Sequence, residues 1–176
     1  MRIIAGIYGG RIIASPALKS IHPMSEKARG GLFSALGDLE GLSVVDAYSG
    51  SGAVAIEALS RGARPVTIVE QNRSAIRTIK ENLSSLGIIE GIRVYDSSVE
   101  SWINFNHETY DIVIADPPYD NLKPKTLDQL FDTALKQTGL LVLSWPGGIE
   151  LPPISGIKPL KQSSYGDAQI GYYRKP

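Results

Sequence analysis

"LSVVDAYSGSGAVAIEALSRG", residues 42–62, decides how this chain folds. It opens as an apolar, valine-containing run too short for a helix and stops on Asp46, which reads as a buried strand. Gly50 and Gly52 then allow a tight turn, and "GAVAIEALSRG" repeats its apolar residues as a helix that Gly62 stops. A strand that enters a helix through a glycine turn is the first unit of a parallel α/β sheet.

The same rhythm continues outward. "RPVTIVE" (64–70) is a second strand, and "NRSAIRTIKENLSSLG" (72–87) a helix capped by Asn72 and stopped by Gly87. "GIRVYD" (91–96) is a third strand, followed by a short helical piece at 99–103. "YDIVIAD" (110–116), a helix over "KPKTLDQLFDTALKQTG" (123–139) and the strand "GLLVLSW" (139–145) complete the alternation. Strands alternating with amphipathic helices predict a mostly parallel sheet covered on both faces. "IKPLKQSSYGDAQIGYYRK" (157–175) predicts a terminal antiparallel hairpin turning at Gly166-Asp167. Upstream, "RIIA" at 2–5 and again at 11–14 predicts a β-hairpin, and Ser25 caps a helix in which Ala28, Leu32, Phe33 and Leu36 share a face. Gly30-Gly31 inside that helix costs about 1 kcal/mol per glycine relative to alanine, which predicts close approach by another element.

At 176 residues, with 43% hydrophobic and 20% charged residues, the chain fits one globular domain. No apolar stretch approaches the roughly 18 residues of a membrane span, and "MRIIAGIYGG" is too short and glycine-rich for a signal peptide, so a cytoplasmic protein without membrane attachment is expected. Zero cysteines exclude disulfides and thiolate chemistry, and with only His22 and His107 no metal site is expected. Net charge is zero, but residues 1–37 carry Arg2, Arg11, Lys19, Lys27 and Arg29 against Glu26, leaving +4 there and −4 in the remainder. A basic segment on an acidic body suits phosphates, and equally an ordinary solvated hairpin.

Ligands of open parallel sheets sit outside the carboxyl ends of the strands, near the point where strand order reverses. Asp46, Glu70, Asp96 and Asp116 stand at four such ends. "GSGAVA" satisfies the degenerate dinucleotide fingerprint, with Glu70 as a ribose acid, so a nicotinamide cofactor and S-adenosylmethionine both fit the loop. Charge separates them. Two unit charges at 4 Å interact by roughly 4 kcal/mol at an effective dielectric of 20. Asp46 would repel a pyrophosphate and attract the sulfonium and ammonium of S-adenosylmethionine. Glu70 then holds the ribose, and Asp96, with Ser97 behind it, accepts from the adenine amine. Ser49 in the loop, Gln71 after Glu70 and the carboxylate of Asp116 complete the expected cofactor contacts.

"DPPY", residues 116–119, supplies the parts for methylating an exocyclic amine. Such nitrogens are conjugated and weakly nucleophilic, so placement is the protein's main task. Asp116 and the Pro117 carbonyl can accept the amine's N–H bonds, and the prolines stiffen the corner without adding donors. Tyr119 offers a face on which a base can stack, worth roughly 1–3 kcal/mol. Asp116 can also take the proton lost after transfer.

"MRIIAG…GGR", "DAYSGSGAVAIEALSRGA", "VEQN", "DPPY" and "YGDAQIGYY" together resemble the bacterial small-subunit rRNA guanine-N2 methyltransferases of the RsmD type, over nearly the whole chain. The resemblance implies a Rossmann-like, seven-stranded S-adenosylmethionine-dependent methyltransferase fold over residues 38–176, with residues 1–37 as an N-terminal hairpin-and-helix extension in the same compact unit. It implies a guanine N2 amine of 16S rRNA as acceptor and the assembling small subunit as partner; a monomer is expected. Asp46, Gly50, Gly52, Glu70 and Asp96 take the cofactor positions; Asp116, Pro117 and Tyr119 take the catalytic ones. Arg11, Lys27, Arg29 and Tyr119 are expected to meet RNA. "HPMSEKARGGLF" departs from the family pattern R-P-T-x-x-x-x-R-E-x-L-F at His22, Met24 and Gly30, and keeps Pro23 and Arg29. Related corners occur in enzymes that methylate adenine or cytosine amines or a protein glutamine. A nicotinamide-dependent oxidoreductase leaves "DPPY" unexplained, and intact Asp116 and Tyr119 argue against a non-catalytic assembly factor.

Overall fold

The computed structural model describes residues 1–16, 24–121 and 123–176; Lys19, His22 and Pro23 lie outside the described residues. Seven strands form one sheet in the order β3-β2-β1-β4-β5-β7-β6. They are β1 (Val44–Ala47), β2 (Val66–Glu70), β3 (Ile92–Asp96), β4 (Tyr110–Ala115), β5 (Leu135–Pro146), β6 (Lys161–Tyr165) and β7 (Ala168–Arg174). The first five run parallel, and β7 inserts antiparallel between β5 and β6. This is a Rossmann-like, doubly wound architecture, with the antiparallel hairpin turning where Gly166-Asp167 predicts.

The helices are α1 (Glu26–Leu36), α2 (Ala53–Ser60), α3 (Arg73–Ser85), α4 (Val99–Phe105) and α5 (Pro124–Gln129). Period-2 alternation along the central strands supplies both faces of the sheet. Val44, Ile112 and Ile114 join Leu32, Phe33, Ile56 and Ile79 on one side; Val45, Val113 and Ala115 join Trp102, Phe131 and Tyr173 on the other. Each such large side chain contributes roughly 1.5–3 kcal/mol by leaving water. Asn72 caps α3 through its side-chain oxygen, which accepts from the N–H groups of Ser74 and Ala75, and Ser25 caps α1 by accepting from Ala28. Among the described residues no helix is long and apolar enough to cross a membrane.

Two expectations are corrected. The helix expected over 123–139 ends at Gln129, passes through a π-helical turn at Leu130–Ala134, and gives way to β5 at Leu135. Leu135 pairs with Tyr110, and the register then jumps so that Ile112 meets Leu140, with Thr138 at φ 60° inside the bulge. Sheet pairing overrides the helical propensity of "ALKQ". The N-terminal hairpin is likewise reduced to one antiparallel bridge, Arg2 with Ile12, flanked by a few backbone hydrogen bonds. Its remaining donors go to α2 instead. The N–H groups of Ile4 and Ala5 donate to the Glu57 carboxylate at 2.7 and 3.0 Å, and those of Ile7 and Tyr8 to the backbone and hydroxyl oxygens of Ser60. Ile3 and Ile13 are buried in the same core cluster as α1 and α2.

The close approach expected at Gly30-Gly31 falls at Gly31. A Cβ there would run into the Tyr165 hydroxyl, so α1 rests against the end of β6.

Candidate active site

Strand order reverses between β1 and β4, and the carboxyl ends of both open into a cleft of about 820 Å³. Asp46, Ser49, Gly50, Glu70, Gln71, Ser97, Asp116, Pro117 and Tyr119 all line it. Four elements far apart in sequence thus deliver their end residues to one space, as the doubly wound topology requires.

The loop between β1 and α2 is built around two carboxylates. Asp46 is 2% exposed; its Oδ2 accepts from the Ser49 hydroxyl at 2.5 Å and from the Ala55 N–H at 3.0 Å. Burial pushes the Asp46 carboxyl up to about 7, the two hydrogen bonds pull it back in part, and Asp116 and Glu70 push it further up. Glu70 reaches across from β2 and fastens the loop. Its Oε2 accepts from the Gly50 N–H at 2.8 Å, and its Oε1 from the N–H groups of Gln71 and Asn72 at 2.8 and 2.7 Å. Three of a carboxylate's roughly four acceptor positions are therefore occupied, leaving one for a ligand hydroxyl. Gly52 does not line the cleft. It sits at φ 80° as the residue before α2, where a Cβ would press on Ile79 at 3.3 Å. Its role is to let the helix start close against α3.

Opposite stands the Asp-Pro-Pro-Tyr corner. Asp116 is partly open to the cleft, and burial pushes its carboxyl up to about 6, offset in part by the Ser144 hydroxyl. The Tyr119 hydroxyl shares a 3.0 Å hydrogen bond with Ser144 of β5, while the residue remains 39% exposed. The ring is thus anchored at its tip and open along its body, which suits a stacking platform. Pro117 is buried and Pro118 exposed, so the corner grips the sheet with one ring and faces solvent with the other.

Two more expected contacts are placed elsewhere. Asp96 is exposed and lies outside the cleft, whose wall after β3 is made by Ser97, Ser98 and Val99. Arg29, expected to meet RNA, is 0% exposed beside Glu57 and donates from Nη2 to the Arg2 carbonyl, so it offers no guanidinium to an outside partner. It lines the cleft from within. Arg11 and Lys27 are exposed and stand outside the cleft lining.

Several residues of the site escape a sequence reading. Tyr48 adopts φ 64°, a left-handed conformation unusual for an aromatic residue, directly between Asp46 and the glycine loop. No sequence pattern marks it, because a glycine turn gives no hint that its neighbour shares the strain. Ser144 is hidden inside an apolar strand, and only the third dimension brings it to Tyr119. Asp167 reaches the cleft from the β6–β7 turn. "YGD" marked that turn but not its destination. Among the described residues no group of three or more His, Asp or Glu side chains is arranged to hold a metal ion.

The family model described as conserved hypothetical protein 95 matches residues 1–174. The chain is 31% identical over 182 residues to "Putative rRNA methyltransferase YlbH" of Bacillus subtilis (strain 168), covering 99% of each. It is also 31% identical over 134 residues to ribosomal RNA small subunit methyltransferase D of Escherichia coli (strain K12), covering 75% of this chain and 67% of that protein. The solved structure "Putative methyltransferase yhhF from Escherichia coli" superposes with a TM-score of 0.85 at 26% identity, covering 99% of this chain and 97% of that one.

Proposed function

Because the chain belongs to the RsmD-type methyltransferase family, we propose that it transfers a methyl group from S-adenosylmethionine to the exocyclic N2 amine of a guanine in small-subunit ribosomal RNA. The observation that carries this reading is the meeting of Asp46, Asp116 and Tyr119 in one cleft at the β1/β4 reversal. The acids suit a cationic donor, and the corner suits an amine on a flat base.

Bound S-adenosylmethionine supplies an electrophilic methyl group on a sulfonium. The chain's own work is positional. Asp46 and Glu70 hold the amino-acid and ribose ends, and Asp116 with the Pro117 carbonyl accepts the two N–H bonds of the target amine. Fixing both N–H bonds turns the nitrogen lone pair toward the donor, and positioning of this kind accounts for much of a displacement's acceleration. Tyr119 stacks on the base, which must leave its helix to reach the corner. Asp116, whose carboxyl is already raised to about 6, takes the proton released from the methylated nitrogen. The exposed cations Arg11 and Lys27 lie on the basic N-terminal segment and contact RNA phosphates. The natural substrate is the assembling small subunit.

Labelled methyl transfer to small subunits from a strain lacking the modification tests this reading, with free rRNA and DNA as controls. Label in a single guanine N2 of the subunit RNA is expected. Label in an adenine, in DNA or in protein instead would overturn the acceptor.

A further inference from the structure

β4 ends at Ala115, so the Asp-Pro-Pro-Tyr corner leaves the sheet just where its strand stops. β5 runs on beside it to Pro146, with β7 paired along its far side and Ser144 opposite Ile170. Side chains alternate along β5: Leu141, Leu143 and Trp145 join the core on one face, and Val142 joins the core on the other. Ser144 follows Val142 on that second face. It is 4% exposed, at a position where an alanine or valine would pack with no polar group to satisfy. Its hydroxyl meets the corner twice. The Tyr119 hydroxyl lies 3.0 Å away, and the Asp116 carboxylate stands beside it.

From this we infer that Ser144 is a positioning residue of the methyl-transfer site: it accepts a hydrogen bond from Tyr119 and donates one to Asp116, holding the stacking ring and the amine acceptor in one fixed relation. The inference rests on the proposed methyl transfer at this corner. Proton counting sets the direction of the chain. A hydroxyl has one proton and two lone pairs, and an ionised carboxylate can only accept. Ser144 therefore gives its proton to Asp116 and keeps lone pairs for Tyr119. Burial, with Asp116 and Asp167, holds the Tyr119 phenol above its usual range, so it retains the proton it donates. The other titratable groups lining the cleft are otherwise engaged or of the wrong charge. Asp46, Glu70, Asp120 and Asp167 are acids, and burial keeps the Tyr48 phenol protonated. Arg29 lies wholly buried beside Glu57, and the Met1 ammonium donates to the Ile13 carbonyl at 3.0 Å. Each bond in such a chain strengthens the next, so Asp116 is turned and kept ionised for the N–H it must accept.

The test follows Asp116 and turnover separately in Ser144→Ala. One arm titrates the Asp116 carboxyl carbon by NMR in the full chain, without donor or RNA. Loss of the donated hydrogen bond should move its midpoint to higher pH than in the wild type. The other arm measures methyl transfer to small subunits at saturating donor. Turnover at pH 7 should fall roughly 10-fold, the weight of one hydrogen bond to a charged group, and recover in part by about pH 9 as Asp116 ionises. S-adenosylhomocysteine affinity should stay within about twofold, and Ser144→Thr, which keeps the hydroxyl, should restore both the titration and the rate. Tyr119→Phe cuts the chain at its exposed end and should move the Asp116 midpoint the same way by less; it carries the test if Ser144→Ala does not fold. An unmoved Asp116 titration with an unchanged pH profile would overturn the inference even if Tm fell, because a hydroxyl that only fills the strand alters neither. If the wild type transferred no methyl to small subunits, the proposed function would fail, while the carboxyl titration would still decide the role of Ser144.

Discussion

Asp46 is the residue on which stability and function pull in opposite directions. Its carboxyl titrates near 7 in the fold against about 3.8 in an unfolded chain, so the unfolded state releases its proton first as pH rises. A raised carboxyl therefore costs the fold stability, in full above pH 7 and progressively less as pH falls toward 4. Asp46→Asn, whose amide oxygen can still accept from Ser49 and Ala55, should raise the ligand-free Tm at pH 8 by roughly 2–4 °C per kcal/mol recovered. The same change should weaken S-adenosylmethionine binding at least tenfold, because a charge that attracts the sulfonium is gone. Calorimetric melting and titration of one variant check both signs. Asp46 near 7 and Asp116 near 6 also set a pH dependence. A cationic donor favours the ionised carboxylates, so its affinity should fall as pH drops through 7 and then 6, with protons released on binding in that window. S-adenosylhomocysteine, lacking the sulfonium, should show a shallower fall. Asp116→Ala should leave S-adenosylhomocysteine affinity within a few fold yet reduce methyl transfer by about 100-fold or more, the usual weight of a positioned acid–base group; near-normal turnover would remove it from the chemistry.

At the scale of elements, most of the sheet was legible because each parallel strand is a short apolar run closed by a turn, and the helices carry their caps in the open. Ser25, Asn72 and the Gly166-Asp167 turn are local features, and local features read well. What failed was decided by distant partners. The start of β5 depends on Tyr110, and the N-terminal hairpin gives up its ladder to Glu57 and Ser60 of α2. Arg29 looked like a surface cation because nothing in its neighbourhood in sequence announces Glu57. The site followed the same rule: strand-end acids were visible, whereas Tyr48, Ser144 and Asp167 enter through geometry. Two predictions belong here. Deleting the N-terminal arm would uncover Ile3 and Ile13 and so confound any RNA assay, whereas Arg11→Glu with Lys27→Glu changes only exposed charge. The double reversal should leave Tm and S-adenosylhomocysteine binding unaltered and weaken rRNA binding more at low salt than at high. Gly31→Ala in a Tyr165→Ala background should stabilise by about the 1 kcal/mol of a free helical position, and in the wild type, where the end of the Tyr165 ring must move aside, the gain should be smaller; a double-mutant cycle measures the difference.

The whole molecule should unfold as one cooperative body. Ile3, Ile13, Leu32 and Phe33 share a core cluster with Ile56, Ile79 and Ile114, so the N-terminal segment has no core of its own. Calorimetry should accordingly show a single transition, raised by roughly 5–10 °C when S-adenosylhomocysteine is present at a hundredfold excess over its Kd. The order of the sheet carries one more consequence, for a chain emerging from its own ribosome. The cleft draws on Met1 and Met24 from early segments, on Asp46 and Glu70 from the middle, and on Asp116, Tyr119 and Asp167 from late ones. A nascent chain released only as far as β3 holds the glycine loop and its fastening Glu70, but no corner and no far wall. β7 lies between β5 and β6, so the far side of the sheet closes only when that strand slides into place. The wall that Asp167 gives the cleft is therefore the last to be synthesised, and a chain truncated before β4 carries the glycine loop without the corner that faces it.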